Sequence, residues 1–186
     1  MKIAVFCASA NNIDEAFFDT ARELGEKIGE KGWHLFYGGT DMGLMKEVAE
    51  ATIRCGGEVT GIIPECIYKK GVAAKLNHLI IAPDMKERKC LLREQADAFI
   101  ALPGGWGTLE EITEVITLKQ LGEHHKPILF MNTLGFYNPF LEFIQTIQKQ
   151  GFISSAYNQI YQVIERVEEA FQYLNYYKEE SIVTKY

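Results

Sequence analysis

The sequence predicts an α/β protein whose parallel sheet is covered by helices on both faces. Short apolar segments alternate along the chain with longer segments of helical periodicity. The short segments are apolar throughout, as in strands that are buried on both faces of a sheet. Glycine-rich turns follow two of them, at residues 38–43 and 104–107. Together these observations predict a Rossmann-like doubly wound parallel sheet with three α/β/α layers.

The apolar runs predict the strands of this sheet. Six strands are expected, at residues 2–7, 33–37, 58–63, 79–82, 98–102 and 127–131. Pro64 closes the third strand because proline cannot continue a central ladder. Residues 64–77 match neither periodicity, and we expect a loop or a short helix there. A short apolar piece at residues 159–163 is not assigned to the sheet.

Helices are predicted where apolar residues recur at helical spacing. They are expected at residues 13–30, 43–54, 84–96, from about 109, 139–150 and 165–176. The first has an apolar stripe formed by Ala16, Phe17, Ala21, Leu24 and Ile28. Gly56 and Gly57 end the second helix. Every predicted strand is thus separated from the next by a candidate helix or by the 64–77 segment.

The length and composition predict one globular domain. We expect this domain over residues 1–178 of the 186, followed by a polar C-terminal tail at residues 179–186. A chain of this length can bury roughly two thirds of its unfolded surface. The hydrophobic content of 47% and the charged content of 24% are ordinary for a globular protein.

Charge and cysteine content exclude several classes of function. A formal net charge of −6 argues against nucleic-acid binding, which needs a basic face, but is compatible with a small anionic ligand. No apolar run approaches the ~20 residues of a membrane helix, and residues 1–6 have the pattern of a strand instead of a signal peptide. A cytoplasmic location is therefore expected. Cys7, Cys55, Cys66 and Cys90 lack metal-ligand spacing, so we expect buried or neutral thiols, no metal ion and no cofactor.

A glycine turn joins the fifth predicted strand to the helix that follows it. Gly104, Gly105 and Gly107 let the backbone approach an anion closely, and Thr108 adds a hydroxyl donor. The free N–H groups at a helix N-terminus bind phosphate. Glu111 lies a few residues further along the same helix. The segment therefore predicts a phosphate site with an acid/base group close to it.

Three turns are expected to meet at one edge of the sheet. They span residues 8–10, 38–43 and 104–108, and each follows a predicted parallel strand. Ligands of doubly wound folds bind at the carboxyl ends of the strands. Neither glycine turn has the GxGxxG pattern with an acidic residue some 20 positions later, and no GxxxxGK[ST] loop occurs. A mononucleotide or a sugar phosphate fits the pattern better than NAD or ATP.

Two charged residues near these turns have structural interpretations as well as functional ones. Thr108 and Glu111 match a capping box, in which Thr108 caps the helix and Glu111 reaches back to a backbone N–H. Arg88 follows Asp84, itself a candidate helix cap, and pairing between them on an exposed face is the structural alternative. From these patterns alone both interpretations stay open. The four histidines lack metal-ligand spacing and are not assigned to catalysis.

Three motifs resemble those of one enzyme family. Residues 85–89 read MKERK, residues 103–111 read PGGWGTLEE and residues 37–45 read YGGTDMGLM. They resemble the MxxRK, PGGxGTxxE and YGGGxxGLM motifs of the LONELY GUY (LOG) family of cytokinin riboside 5′-monophosphate phosphoribohydrolases, formerly often labelled possible lysine decarboxylases. The resemblance covers roughly residues 1–150. Thr40 replaces the third glycine of one motif, and residues 7–10 read CASA where the family usually has CGSS.

The resemblance implies hydrolysis of the N-glycosidic bond of a purine nucleoside 5′-monophosphate, adenine or cytokinin, to free base and ribose 5-phosphate. It implies catalytic roles for Glu111, facing the ribose, and for Arg88, which compensates negative charge. The implied substrate- and phosphate-binding residues are Ser9, Gly39, Met85, Lys89, Gly104, Gly105, Trp106, Gly107, Thr108 and Thr117. The small-molecule partner is thus a nucleoside monophosphate.

The resemblance also implies a homodimer. An apolar face for this dimer could be formed by Trp106, Leu118 and Leu121. The alternative is that Leu118 and Leu121 face the protein core.

Two other functions stay open at this point. A lysine decarboxylase would need pyridoxal phosphate on a lysine, and no lysine here lies in a recognisable context of that kind. A non-catalytic nucleotide-binding or carrier protein of the same fold has little use for a carboxylate beside a phosphate, so Arg88 and Glu111 argue against it. The sequence leaves open which base the site accepts, and whether the biological role is cytokinin production or nucleotide salvage.

Overall fold

The computed structural model describes residues 1–179, and within them seven strands form one sheet. The strands are β1 (Lys2–Phe6), β2 (His34–Tyr37), β3 (Glu58–Pro64), β4 (His78–Ala82), β5 (Ala98–Ala101), β6 (Ile128–Met131) and β7 (Gln162–Ile164). Their order is β4-β3-β2-β1-β5-β6-β7, and every neighbouring pair is parallel. The expected tail at residues 179–186 lies almost wholly outside the described residues.

Helices cover both faces of the sheet. They are α1 (Glu15–Glu30), α2 (Gly43–Arg54), α3 (Glu65–Tyr68), α4 (Met85–Gln95), α5 (Trp106–Gln120), α6 (Asn138–Lys149) and α7 (Val167–Tyr176). One buried apolar cluster joins the sheet to α1, α2 and α7, and a second joins its opposite face to α4 and α5. The predicted doubly wound α/β/α fold is therefore confirmed. No helix in the described ranges is long and apolar enough to cross a membrane.

The sheet contains one strand more than the six predicted. The apolar piece at residues 159–163 contributes to β7, which pairs with β6 at the edge of the sheet. This strand has only three residues, of which Val163 and Ile164 are apolar, so periodicity could not reveal it. Residues 64–77 form the short helix α3 and a loop, as expected.

Helices α1 and α2 pack at unusually close range. A Cβ atom added to Gly25 would lie 2.7 Å from Cβ of Ala51, and one added to Gly29 would lie 2.7 Å from Cβ of Cys55. The missing side chains therefore allow the two helix backbones to approach each other.

The strand order places the functional site. The chain proceeds from β1 toward β4 on one side and from β5 toward β7 on the other, so the direction of winding reverses between β1 and β5. Loops that leave two such strands diverge and open a crevice at the carboxyl edge of the sheet. The turns after β1 and β5 border that crevice here.

Candidate active site

A cavity of about 540 Å³ opens at the carboxyl ends of the central strands. The turns after β1, β2 and β5 all contribute to its wall, which confirms that the three predicted turns meet. Residues of α3, of the loop after it and of α4 complete the cavity. Its lining consists of Cys7, Ala8, Ser9, Gly38, Thr40, Met42, Met45, Pro64, Ile67, Lys70, Val72, Met85, Arg88, Gly105, Trp106, Gly107, Thr108 and Glu111.

Backbone hydrogen bonds through Ala8 hold the three turns together. The Ala8 N–H donates to the carbonyl oxygen of Pro103 at 3.1 Å, and the Ala8 carbonyl oxygen accepts from the N–H of Leu44 at 3.0 Å. The turn after β1 is thereby bonded both to the turn after β5 and to the first residues of α2. Such bonds depend little on side-chain identity, so an alanine serves where the LOG motif usually has glycine.

The centre of the cavity is a buried ion pair between Arg88 of α4 and Glu111 of α5. Nη1 of Arg88 donates a hydrogen bond to Oε1 of Glu111, and the two residues are only 9% and 7% exposed. Nε of Arg88 donates to the carbonyl oxygen of Ile62 at 3.2 Å. A Cβ atom at Gly38 would lie 2.6 Å from Nη2 of Arg88, so the glycine turn after β2 makes room for the guanidinium.

The environment of Glu111 alters its acidity. Burial raises the pKa of the Glu111 carboxyl because it removes water from the charged form, and the Arg88 guanidinium opposes this rise. The result is a carboxyl group with a raised pKa, held by a permanent cation. Perturbed acidity of this kind is typical of groups that transfer protons in a cleft.

Both structural interpretations of these charged residues are wrong. Asp84 caps α4, with Oδ1 accepting from the N–H of Glu87 at 2.8 Å, but Arg88 is buried and pairs with Glu111 instead of with Asp84. Helix α5 begins at Trp106 with Gly105 as its N-cap residue, so Thr108 already lies inside the helix and does not cap it. The predicted capping box does not form, because the helix begins before Thr108, the residue that would have been its N-cap.

The first turn of α5 has no side-chain cap, and it faces the cavity. The N-cap residue Gly105 makes no side-chain hydrogen bond, so backbone N–H groups of this turn stay open for a ligand. A Cβ atom added to Gly105 or Gly107 would meet no atom within 4 Å. These two glycines are therefore not required by packing within the chain, and they leave space for an anion at the helix N-terminus.

Gly104 and Trp106 differ from their two neighbours. A Cβ atom at Gly104 would lie 2.6 Å from Cβ of Thr108, so the position is small because the threonine packs over it. Trp106 is 89% exposed at the mouth of the cavity. Its indole ring is available to a bound base or to another protein chain.

The structure brings most of the predicted site residues together. Eight of them line the cavity: Ser9, Met85, Arg88, Gly105, Trp106, Gly107, Thr108 and Glu111. Gly104 and Gly39 lie behind this lining. Gly39 has a φ of +73°, and its carbonyl oxygen accepts from the N–H of Ala74 at 2.9 Å, so it shapes the turn after β2.

Lys89 and Thr117 lie away from the cavity of this chain. Nζ of Lys89 pairs with the carboxylates of Glu110 and Glu114, which joins α4 to α5 outside the lining of the cavity. The hydroxyl of Thr117 donates to the Thr113 carbonyl oxygen at 2.8 Å, and the residue lines a separate groove between α5 and α6. Substrate binding by these two residues stays a prediction.

Sequence reasoning missed the wall that residues 64–72 contribute. Ile67, Lys70 and Val72 belong to it. An antiparallel bridge between Thr40 and Ala73 holds this segment against the turn after β2, and the N–H of Asp41 donates to the Val72 carbonyl oxygen at 2.9 Å. No local periodicity encodes such a long-range bridge. A hydrophobic Ile67 close to Lys69 and Lys70 in the sequence was the available signal, and it is a weak one.

Cys7 borders the cavity but lacks the character of a nucleophile. Burial raises the pKa of the Cys7 thiol, and the nearby Glu111 carboxylate raises it further. The thiol is therefore protonated at neutral pH, whereas a nucleophilic cysteine must form a thiolate.

Cys66 is exposed on α3.

Fold and site together define a class of protein: a Rossmann-like α/β protein that presents an uncapped helix N-terminus and a buried Arg–Glu pair to a small anionic ligand. A family model described as "Possible lysine decarboxylase" matches residues 45–174. The chain belongs to this family, the LOG family.

Named relatives agree with this assignment. The chain is 39% identical over 178 residues to cytokinin riboside 5′-monophosphate phosphoribohydrolase LOG5 of Arabidopsis thaliana, covering 95% of this chain and 78% of the relative. It is 44% identical over 154 residues to the phosphoribohydrolase LOG of Oryza sativa subsp. japonica, covering 82% of this chain and 64% of the relative.

Solved structures share the fold. A protein named TM1055 superimposes with a TM-score of 0.73 at 24% identity, covering 94% of this chain and 98% of the other. The Moco carrier protein from Chlamydomonas reinhardtii superimposes with a TM-score of 0.70 at 22% identity, covering 94% of each chain. At these identities the likeness concerns the architecture alone.

Proposed function

We propose that this protein hydrolyses the N-glycosidic bond of purine nucleoside 5′-monophosphates, releasing the free base and ribose 5-phosphate. The observation that carries the proposal is the buried Arg88–Glu111 pair beside the open N-terminus of α5. The relatives named as phosphoribohydrolases support the same chemistry.

The N-terminus of α5 binds the 5′-phosphate. Backbone N–H groups near Gly105 and Gly107 donate to the phosphate oxygens, and Thr108 adds its hydroxyl. The helix dipole favours the negative charge at this end. Ser9 and Met85 form the neighbouring walls. A phosphate fixed here positions the ribose over Glu111, and we therefore expect a phosphorylated substrate to react faster than an unphosphorylated one.

Glu111 performs the acid/base chemistry at C1′ of the ribose. As the bond from C1′ to the base nitrogen breaks, its electron pair leaves with the base and positive charge develops on the ribose. The Glu111 carboxylate stabilises that charge and takes a proton from the water that attacks C1′. The departing base nitrogen takes up a proton from solvent, and Glu111 afterwards releases to solvent the proton that it took from water, so water is consumed and no net proton is lost or gained. Arg88 opposes the rise of the Glu111 pKa and holds the carboxylate in place until the substrate arrives.

A panel of nucleotides tests the proposal. Purified protein is incubated with several purine and pyrimidine nucleoside monophosphates, including AMP and prenylated AMP, and the free base is measured by chromatography. We expect base release from purine monophosphates, with little release from adenosine because it lacks the phosphate. Hydrolysis of adenosine as fast as AMP would contradict the phosphate site.

Two alternative functions make different predictions in the same experiment. A carrier protein of this fold would bind AMP tightly in calorimetry without releasing base over hours. A decarboxylase would bind pyridoxal phosphate and show its absorbance band. Among the described residues lining the cavity, Glu111 is the acidic group available to the pyridine nitrogen, and Arg88 already occupies it. We therefore favour the hydrolase.

We also propose that two copies of the chain associate through α5 and α6. Helix α6 is strongly amphipathic, yet none of its residues is buried in this chain. A groove of about 490 Å³ lies between α5 and α6 and is lined by side chains such as Ile116, Phe140 and Ile144. Phe143 on α6 and Leu121 after α5 are exposed nearby. A second copy of the same surface would cover this apolar area.

A further inference from the structure

The charges that line the cavity do not cancel. Among its described lining residues, three have acidic or strongly basic side chains: Lys70, Arg88 and Glu111. Arg88 and Glu111 are paired with each other. Lys70 forms no ion pair within the described chain and keeps its ammonium free. The cavity therefore has one unpaired positive charge besides the N-terminus of α5.

The backbone around Lys70 is held in place. The N–H of Lys70 donates to the Ile67 carbonyl oxygen at 2.9 Å, which extends the turn of α3. Gly71 follows with a φ of +73°, a conformation that favours glycine, and it redirects the chain. The Val72 carbonyl oxygen then accepts from the N–H of Asp41 at 2.9 Å. Lys70 thus projects from a segment that is bonded to the turn after β2.

The preceding lysine has a different environment. Nζ of Lys69 pairs with Oε1 of Glu65 at 2.9 Å. Lys69 lines a separate pocket with Tyr68 and Lys75, outside the cavity that contains Glu111. The two adjacent lysines therefore differ in two respects: Lys69 is held in an ion pair with Glu65, whereas Lys70 lines the cavity.

We propose that Lys70 binds the 5′-phosphate of the substrate from the cavity wall formed by residues 64–72 and makes the site selective for phosphorylated nucleosides; this role rests on the proposed function. A phosphomonoester carries a charge of about −1.5 to −2 at pH 7. A helix N-terminus supplies only roughly +0.5 of an elementary charge, and Glu111 adds a negative charge nearby. The flexible ammonium of Lys70 closes over the phosphate and supplies the missing positive charge.

A matched pair of variants tests this role. In Lys70→Ala we expect KM for AMP to rise about tenfold or more, with kcat within about threefold of wild type, because the lost contact is made equally before and during the reaction. Inorganic phosphate, used as a competitive inhibitor, should lose affinity in parallel. Slow hydrolysis of adenosine should not change. Lys69→Ala should behave as wild type in all three measurements.

Each result decides the matter. An unchanged KM and an unchanged inhibition constant for phosphate in Lys70→Ala would overturn the role of Lys70 while leaving the proposed hydrolysis intact. An equal loss in Lys69→Ala would also overturn it, since it would show an effect of overall charge. If the wild-type protein releases no base, the proposed function fails, and calorimetric titration of both variants with AMP still reports whether Lys70 binds the phosphate.

Discussion

At the scale of single residues, the site depends on two opposite charges that are buried together. Either charge alone would lower the stability of the fold in this position, because it would lack both water and a partner. Local sequence could not reveal the pair, since Arg88 and Glu111 lie on different helices and each matched a local surface pattern. Only the resemblance to LOG motifs indicated it.

Removal of either member of the pair should greatly slow catalysis. We expect Glu111→Gln and Arg88→Ala to remain folded and to hydrolyse AMP at least ~100-fold more slowly, because the first lacks the proton acceptor and the second the cation that holds it. Steady-state rates of base release measure the loss. Circular dichroism and thermal unfolding verify the fold.

The pH dependence of kcat provides a control for this experiment. Because burial raises the pKa of Glu111, the acid limb of wild-type kcat should lie at higher pH than an ordinary glutamate would give. Glu111→Gln should lack this limb in its residual activity. Near-wild-type turnover in Glu111→Gln would remove Glu111 from the mechanism.

Two buried tyrosines allow a matched test of hydrogen bonding in the core. The Tyr137 hydroxyl donates to the Leu102 carbonyl oxygen at 2.7 Å, at the end of the strand that leads into the glycine turn. The Tyr37 hydroxyl is buried without a hydrogen-bond partner among the described residues. Tyr137→Phe should lower the free energy of unfolding by about 1–3 kcal/mol, whereas Tyr37→Phe should leave it unchanged or raise it. Urea denaturation measures both, and a larger loss in Tyr37→Phe would contradict this account.

At the scale of elements, the glycines at the start of α5 have two different roles, one in packing and one in ligand binding. Gly104 is small because Thr108 packs over it, whereas Gly105 and Gly107 border open space. Gly25 on α1 is an example of the structural kind, since the backbone of α2 lies directly against it. Glycine therefore has a packing role at some positions and a ligand-binding role at others. The atoms around each glycine distinguish these roles, whereas the sequence alone does not.

Alanine substitutions should distinguish these roles. Gly25→Ala should destabilise the fold by about 1–3 kcal/mol, because the new methyl group would force α1 and α2 apart. Gly107→Ala should leave stability unchanged or raise it by about 0.5–1 kcal/mol, since alanine is the better helix former. Its KM for AMP should nevertheless rise about tenfold, because the methyl group enters the phosphate site. Thermal unfolding and steady-state kinetics test both variants, and normal KM in Gly107→Ala would argue against a phosphate at this turn.

Most elements could be predicted from the sequence, because parallel strands buried on both faces are continuously apolar. The bounds of α2 at Gly43 and Arg54 agree with the prediction, since glycines flank or begin this helix. Strand β7 was missed because Gln162–Ile164 is too short to show a period. The start of α5 was misplaced because a capping pattern at Thr108 suggested a later beginning. The wall containing Lys70 depends on the long-range bridge from Thr40 to Ala73, which no local pattern encodes.

At the scale of the whole molecule, the apolar surface of α6 predicts self-association. Light scattering should give twice the mass of the chain. Phe143→Asp, at a position 59% exposed on α6, should give a monomer with an unchanged far-ultraviolet spectrum. Ile53→Asp, at a position 50% exposed on α2, should remain a dimer and serves as the control. A wild-type monomer at micromolar concentration would exclude this interface.

The short antiparallel bridge at Thr40 and Ala73 has a consequence for how the enzyme can change. Main-chain hydrogen bonds hold the segment before it in place, and the side chains of Ile67 and Lys70 project from that segment into the cavity. Substitutions there alter the pocket while the sheet and the Arg88–Glu111 pair stay intact. Natural drift or directed evolution can therefore adjust which nucleotide is accepted at this wall, with little penalty to folding.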